Sequence, residues 1–217
     1  MDAKAAIARR IAMELHDGQL VNLGIGLPTM VADYLPAGME ILLQSENGFV
    51  GLGPSPQEGE IDEDLINAGA QSATILDGGC FFDSATSFAI IRGGRLDVTV
   101  LGTLEVDEEG NIANYIIPGK IVPGMGGAMD LCAGAQRVVV ATTHCDRRGN
   151  PKILQRCRLP LTARGEADLI VTELAVIERQ GGKLVLVERA PEVSVEEILQ
   201  KTEATLEVPS EVAVRSF

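Results

Sequence analysis

Apolar residues spaced four apart open the chain. Ile7, Ile11 and Leu15 share one face of residues 3–15 (AKAAIARRIAMEL), which predicts an amphipathic helix stopped by His16-Asp17-Gly18. The pattern then turns strand-like. Leu20–Leu23 reads as a short strand running into Gly24-Ile25-Gly26-Leu27-Pro28, and a helix is expected from Thr29 or its neighbour through Tyr34. Ile41–Gln44 is a second strand, ending at Ser45-Glu46-Asn47-Gly48. Branched apolar runs bounded by turn residues predict further strands at 96–101 (LDVTVL), 137–142 (RVVVAT), 169–171 and 184–187. Helical patches are expected at Asp62–Ala68 and Asp83–Ile90, and a hairpin turn at Asp107–Asn111. Ser194 and Glu197 form an S-x-x-E capping box ahead of a final helix of about ten residues. Strands alternating with helices imply an α/β fold, an open, largely parallel sheet flanked by helices. No internal repeat or linker interrupts residues 1–217, so a single domain is expected.

Composition changes the picture in two ways. Aromatics are only 3% and Trp is absent, so the core must be built from Val, Ile, Leu and Ala around 24 glycines. Many of those glycines are expected at turns or where backbone approaches a ligand. The net charge of −13 removes nucleic acid from the expected partners. No stretch approaches the ~18 apolar residues of a membrane span, and the N-terminal residues lack a signal-peptide core, so a soluble cytoplasmic protein is expected. Cys80, Cys132, Cys145 and Cys157 form no C-x-x-C pair, which predicts free thiols and no zinc site.

Three glycine-bearing segments are the candidates for chemistry. In Gly24-Ile25-Gly26-Leu27-Pro28-Thr29 the third glycine of a dinucleotide fingerprint is replaced by Thr29, so a tight strand-to-helix turn is the better reading. In Gln44 to Pro54 (QSENGFVGLGP), Glu46 follows an apolar strand directly. Ligands of open α/β sheets bind outside the carboxyl ends of strands, where a carboxylate is well placed for chemistry. The segment running from Pro118-Gly119-Lys120 through Pro123-Gly124 to Gly126-Gly127 and Asp130 exposes clustered backbone N–H groups, either an anion-binding nest or a loop. His144 beside Cys145 has the residue types of a catalytic pair but no assignable orienting acid, so a structural role is expected. His16 is read as a helix-end residue and the acidic run Glu58–Asp64 as a solvated loop and helix start.

Taken together, the words VNLGIGLPTMVADYLP, LQSENGFVGLGP, FFDSATSFAIIRGG, IPGK, GMGGAMDL and LPLTA resemble the family I coenzyme A transferases, and within them the B-type (β) chain of acetate/butyrate–acetoacetate and other 3-oxoacid enzymes. The resemblance covers nearly the whole chain, and S-E-N-G is its most specific word. It implies the CoA-transferase fold, related to that of sugar-phosphate isomerases. It implies that Glu46 is the nucleophile, that Gly127 donates a backbone N–H to the thioester oxygen, and that Gly24, Gly26, Asn47, Gly48 and Gly126 line the site. The implied reaction is ping-pong transfer of CoA between short-chain acids through a mixed anhydride and a glutamyl-CoA thioester. No metal or redox cofactor is called for, since CoA is a substrate. The implied partner is an A-type (α) chain in an A2B2 assembly, which would also supply cationic contacts that an acidic chain lacks for polyanionic CoA.

Ala70 stands where many 3-oxoacid enzymes carry Lys, favouring the acetate/butyrate group. Glu105, Thr142-Thr143 and the LDGGC phrase at 76–80 also depart from the common pattern. The alternatives are the B-type chain of a succinyl- or 3-oxoadipate-type enzyme, and a non-covalent sensing or isomerase domain of the related fold.

Overall fold

A computed structural model describes residues 2–57, 59–119 and 124–216. Its elements run in the order α1 (Ala3–Ala12), β1 (Leu20–Leu23), a 3-10 helix (Leu27–Tyr34), β2 (Leu42–Ser45), β3 (Phe49–Leu52), β4 (Ile75–Phe81), α2 (Ser84–Arg92) and β5 (Val98–Gly102). Then follow β6 (Glu105–Asp107), β7 (Ile112–Ala113), α3 (Ala128–Gly134), β8 (Arg137–Ala141), β9 (Ile153–Leu154) and β10 (Leu169–Val171). The chain ends with β11 (Ala175–Gln180), β12 (Lys183–Arg189), α4 (Val195–Gln200), β13 (Leu206–Glu207) and β14 (Ala213–Val214).

The main sheet has the order β13-β12-β11-β10-β8-β5-β1-β2-β3-β4, with β14 also on β12. Its five central strands, β10, β8, β5, β1 and β2, are mutually parallel. Antiparallel hairpins extend it on both sides, β3 and β4 beyond β2, β11 and β12 beyond β10. Burial on β8 alternates between two cores. Val138 and Val140 pack with Ile91 of α2, Leu131 of α3 and Ile198 of α4, whereas Val139 and Ala141 pack with Ile7 and Ile11 of α1 and with Val31. A strand buried on both faces must be apolar at every position, which is why RVVVA carries no alternation. Each fully buried Ile or Val contributes about 1.5–3 kcal/mol. A smaller sheet, β7-β6-β9, packs against the first core.

Two expectations fail. Asp62–Ala68 forms turns and one isolated bridge, Ile66 to Ser72, instead of a helix. The Asp62 side chain accepts from the Asp64 N–H, and the Asn67 side chain accepts from Gly69 and Gln71, so these residues take the donors a helix needs. The last helix spans six residues, because the chain then folds back so that Glu203 donates its N–H to the Ile153 carbonyl of β9. Ser194 accepts from the Glu197 N–H, while the Glu197 carboxylate turns to Lys201, so only half of the capping box forms. Residues 13–15 continue α1 as tight i→i−3 turns, within the ordinary latitude of helix ends. Glu58, Lys120 and Pro123 lie outside the described residues.

Candidate active site

The parallel register pairs Asn22 of β1 with Gln44 of β2. Two residues further on, Gly24 and Glu46 leave the carboxyl edge of the sheet side by side. Ser45 pairs with Phe49, which confines Glu46, Asn47 and Gly48 to a three-residue turn. Gly48 has φ +138, and a Cβ there would stand 2.3 Å from the Phe82 carbonyl oxygen, so only glycine closes the turn. Phe82 donates its N–H to Gly48 O at 2.8 Å, and the next residue, Asp83, caps α2 through the Thr86 N–H. The turn carrying Glu46 is thereby clamped between the sheet and the start of α2.

A buried polar chain lies under it. Asn22 Nδ2 donates to Gln44 Oε1 at 2.7 Å, and Gln44 Nε2 donates to Ser87 Oγ at 2.9 Å. All three residues are at most 3% exposed. Satisfied networks of this kind fix a single geometry because an unpaired member would be costly. Their signal in the sequence is a lone polar residue inside each apolar strand, LVNL and LLQS, which the strand pattern alone does not single out.

The glycine-rich segment reaches Glu46 from across the fold. Gly127 caps α3 and donates its N–H to Glu46 Oε1 at 3.2 Å. Gly126, with φ +54, is close enough that a Cβ there would lie 3.5 Å from the same oxygen. A Cβ on Gly127 would lie 2.2 Å from Glu46 Oε2 and 3.1 Å from the Phe88 ring of α2. Next along α3, Asp130 accepts from Arg92 Nε at 2.7 Å, and the Arg92 guanidinium stacks over Phe88 at 5.4 Å. Burial raises the Glu46 carboxyl above its ordinary value. The Gly127 hydrogen bond partly offsets this, and the charge of Asp130 adds to it. Phe88, Arg92 and Asp130 were not singled out from the sequence as site residues.

The expected site residues thus separate by what they do. Glu46, Gly126 and Gly127 meet directly, and Gly48 shapes the turn. Asn47 donates its amide to the Ile66 carbonyl at 2.7 Å, and Ser45 Oγ accepts from the Ala68 N–H, so the S-E-N-G word also latches the outer loop. Gly24 packs against the Val100 carbonyl of β5, and Gly26 (φ +86) caps the 3-10 helix with nothing within 4 Å of a Cβ position. His144 is fully buried, with its ring nitrogens on Thr172 Oγ1 at 3.0 Å and Thr202 Oγ1 at 2.9 Å. The ring thus ties the residue after β10 to the chain just past α4. Among the described residues no cluster of His, Cys, Asp or Glu has the makings of a metal site, and no helix is long and apolar enough to cross a membrane.

A family model described as Coenzyme A transferase matches residues 4–201. The chain belongs to the coenzyme A transferase family. It is 55% identical over 212 residues to the beta chain of the acetate CoA-transferase of Escherichia coli, covering 98% of this chain and 97% of that one. It is 47% identical over 211 residues to the B-type chain of a probable succinyl-CoA:3-ketoacid coenzyme A transferase of Bacillus subtilis, covering 97% and 98%. Among solved structures, an acyl-CoA transferase apoenzyme from Escherichia coli superposes with TM-score 0.78 at 24% identity. That match covers 99% of this chain but only 43% of the other. The AibA/AibB decarboxylase has the same fold at TM-score 0.72 and 20% identity, so the architecture alone does not choose the reaction.

Proposed function

We propose that this chain is the β subunit of a short-chain acyl-CoA:carboxylate CoA-transferase in which Glu46 carries CoA. The observation that supports it is a half-buried carboxylate, raised in pKa, with the Gly127 N–H already on Oε1. Glu46 Oε2 attacks the acyl-CoA thioester, and CoA leaves as the thiolate with the formation of an acyl–glutamyl anhydride. The thiolate then attacks the Glu46 carbonyl carbon, releasing the acid and leaving a glutamyl-CoA thioester. An incoming carboxylate reverses both steps. In the first step charge develops on the thioester oxygen; in the second, when the thiolate attacks the Glu46 carbonyl, it develops on Oε1, where the Gly127 N–H already sits. A donor so placed contributes about 3–4 kcal/mol to the transition state. Burial removes the hydration that makes a carboxylate a weak nucleophile. Each step balances with no cofactor.

Identity is higher to the acetate-type relative (55%) than to the B-type 3-ketoacid relatives (47% and 49%), in line with Ala70 and with acetate, butyrate and acetoacetate as the acids. A kinetic screen decides this: kcat/KM for succinate above that for acetate reverses the assignment.

An α subunit completes the enzyme, as an A2B2 hetero-oligomer of the cytoplasm. Large apolar side chains stand exposed at Leu42 of β2, Leu76 and Phe81 of β4, and Ile61 and Ile66 of the loop between β3 and β4. Among the described residues, edge strand β4 pairs only with β3. This flank holds the Glu46 turn through Asn47 and Ser45, so a partner seated on it adjoins the reacting carboxylate and can bring the cations that CoA phosphates need.

The central test uses the purified αβ complex. After incubation with acetoacetyl-CoA, intact mass should show CoA attached to the β chain, lost in Glu46→Gln and Glu46→Ala while the complex still assembles. Exchange by Glu46→Ala at more than a few per cent of wild type would refute the reading.

A further inference from the structure

On the other side of the molecule the fold builds a cavity of about 570 Å³ that the transfer reaction does not use. Arg156, Arg164 and Arg179 line it, with Asp107, Glu109 and Cys157. Its place follows from topology. Glu46 leaves the carboxyl end of β2, whereas Gly182, in the cavity wall, sits in the β11–β12 turn. Because β11 runs antiparallel to β10, that turn lies at the amino end of the parallel strands. The Asp107–Asn111 turn reaches the same end, since Gly110 O accepts from the N–H of Ala167, just ahead of β10.

Three guanidinium groups meet there without a carboxylate bound to any of them. Arg156 and Arg164 make no hydrogen bond or ion pair among the described residues. Arg179 gives Nη1 to the Gly165 carbonyl at 2.9 Å, while its buried Nε has no partner among the described residues. The two acids in the wall are held by neutral donors. Asp107 accepts from the N–H groups of Glu109, Asn111 and Cys157 and from the Asn111 amide, and Glu109 accepts from that amide as well. Arg179 is also set in place by glycines. A Cβ on Gly110 (φ +80) would stand 2.9 Å from Arg179 Cδ, and Gly165 (φ +68) faces Nη2. In a chain of net charge −13, two uncommitted guanidiniums and a third whose buried Nε is unpaired among the described residues mark a position suited to an outside anion.

The geometry points to a binding site for a compact multivalent anion, phosphoryl or polycarboxylate, in the Arg156–Arg164–Arg179 cavity, separate from the Glu46 site. The volume falls in the range of small-molecule sites, and planar forks match phosphate and carboxylate oxygens in pairs. The site would act as an effector or anchoring subsite, since burial and the charge of Asp107 push the Cys157 thiol in its wall well above its ordinary value and leave it a poor nucleophile.

The test is calorimetry on the purified αβ complex, using inorganic pyrophosphate as one probe and citrate as the other, at matched ionic strength in KCl. Saturable binding of one or both is expected, and the tighter probe identifies the class. Arg156→Ala and Arg164→Ala should each weaken it about tenfold, the size of one charge-assisted hydrogen bond. Arg156, which lines this cavity and not the neighbouring pocket against Met129 of α3, is the control: Arg156→Ala should leave CoA transfer intact. Saturating CoA should leave binding of the probe unchanged. The inference is overturned if neither anion saturates below about 10 mM, if the double variant binds as wild type does, or if CoA displaces the probe. Protection of the cavity by the α chain, seen as binding to the isolated β chain only, would overturn it too. None of these outcomes depends on whether Glu46 carries CoA.

Discussion

A single methyl group added at Gly127 should disable the enzyme without unfolding it. The backbone at Gly127 has φ −84, which alanine adopts freely, so no conformational strain accompanies Gly127→Ala. The difficulty is space. The new Cβ would lie 2.2 Å from Glu46 Oε2 and 2.8 Å from Glu46 Cδ, whereas ordinary contact begins at 3.4 Å. The carboxylate must therefore retreat by about 1.2 Å, and it cannot draw the α3 N-terminus after it, because Phe88 would already be 3.1 Å away on the other side. A displacement of ~1 Å at a reacting atom lowers the rate about 100-fold. Lengthening the 3.2 Å bond from Gly127 to Oε1 removes part of a donor worth about 3–4 kcal/mol. The expected loss is thus two to three orders of magnitude in kcat, with KM for acyl-CoA nearly unchanged. The assay is exchange between acetoacetyl-CoA and acetate by the αβ complex, with thermal unfolding of the same samples to show that the fold survives. If Gly127→Ala retains more than about a tenth of wild-type kcat, Glu46 and Gly127 do not act together on the reacting carbonyl.

Asp130→Asn removes the like charge that raises Glu46 and frees Arg92 beside it, two changes of the same sign. The acid limb of the first half-reaction, followed as thiolate release against pH, should lie above the ordinary carboxylate value of 4.5 in the wild type and move down in the variant; an upward move refutes the electrostatics. Burial and the charge of Lys201 hold His144 down to about 4, against 6.5 in the unfolded chain. A depressed His makes stability complete above pH 6.5 and progressively lost as pH falls towards 4, by about 3 kcal/mol at most. His144→Gln should flatten the urea midpoint over that window, and an unchanged slope would assign the loss to other groups. Cys80 is exposed on β4, while Cys132 is buried with its thiol pushed up to about 12. Ellman's reagent should therefore modify Cys80 first in the isolated β chain, and more slowly in the αβ complex; equal rates would move the partner off the β4 flank.

The parallel centre of the sheet could be read from sequence because its strands are buried on both faces. RVVVA and LDVTVL announce themselves without needing partners. The flanking strands could not. Ile75–Phe81 contains Asp77-Gly78-Gly79, and its residues are mostly exposed in the chain, so neither propensity nor alternation marks it. The failure at Asp62–Ala68 has the opposite cause. Composition allowed a helix there, but the side chains of Asp62 and Asn67 bonded locally first. At the site, the position of Glu46 at a strand end followed from the residues alone. Its pairing with Gly127, 81 positions away, did not, and only the family words carried it.

One residue joins these strands of argument. Ala70 is the non-glycine residue with positive φ, +58, among the described residues. Such a conformation costs roughly 1 kcal/mol and persists only where neighbours impose it. The neighbours here are the Asn67 carbonyl, which accepts from the Ala70 N–H at 2.9 Å, and the Asn67 side chain on Gly69 and Gln71. That small turn is fastened by Ala68 to Ser45 and by Ile66 to Asn47, the two residues flanking Glu46. Ala70, one of the positions expected from the sequence to depart from the 3-oxoacid pattern, is therefore also the strained one, and it is held by the word that carries the proposed nucleophile. Strain placed there is a reason to look to residues 66–72, more than to the sheet, for the features that distinguish one acid from another.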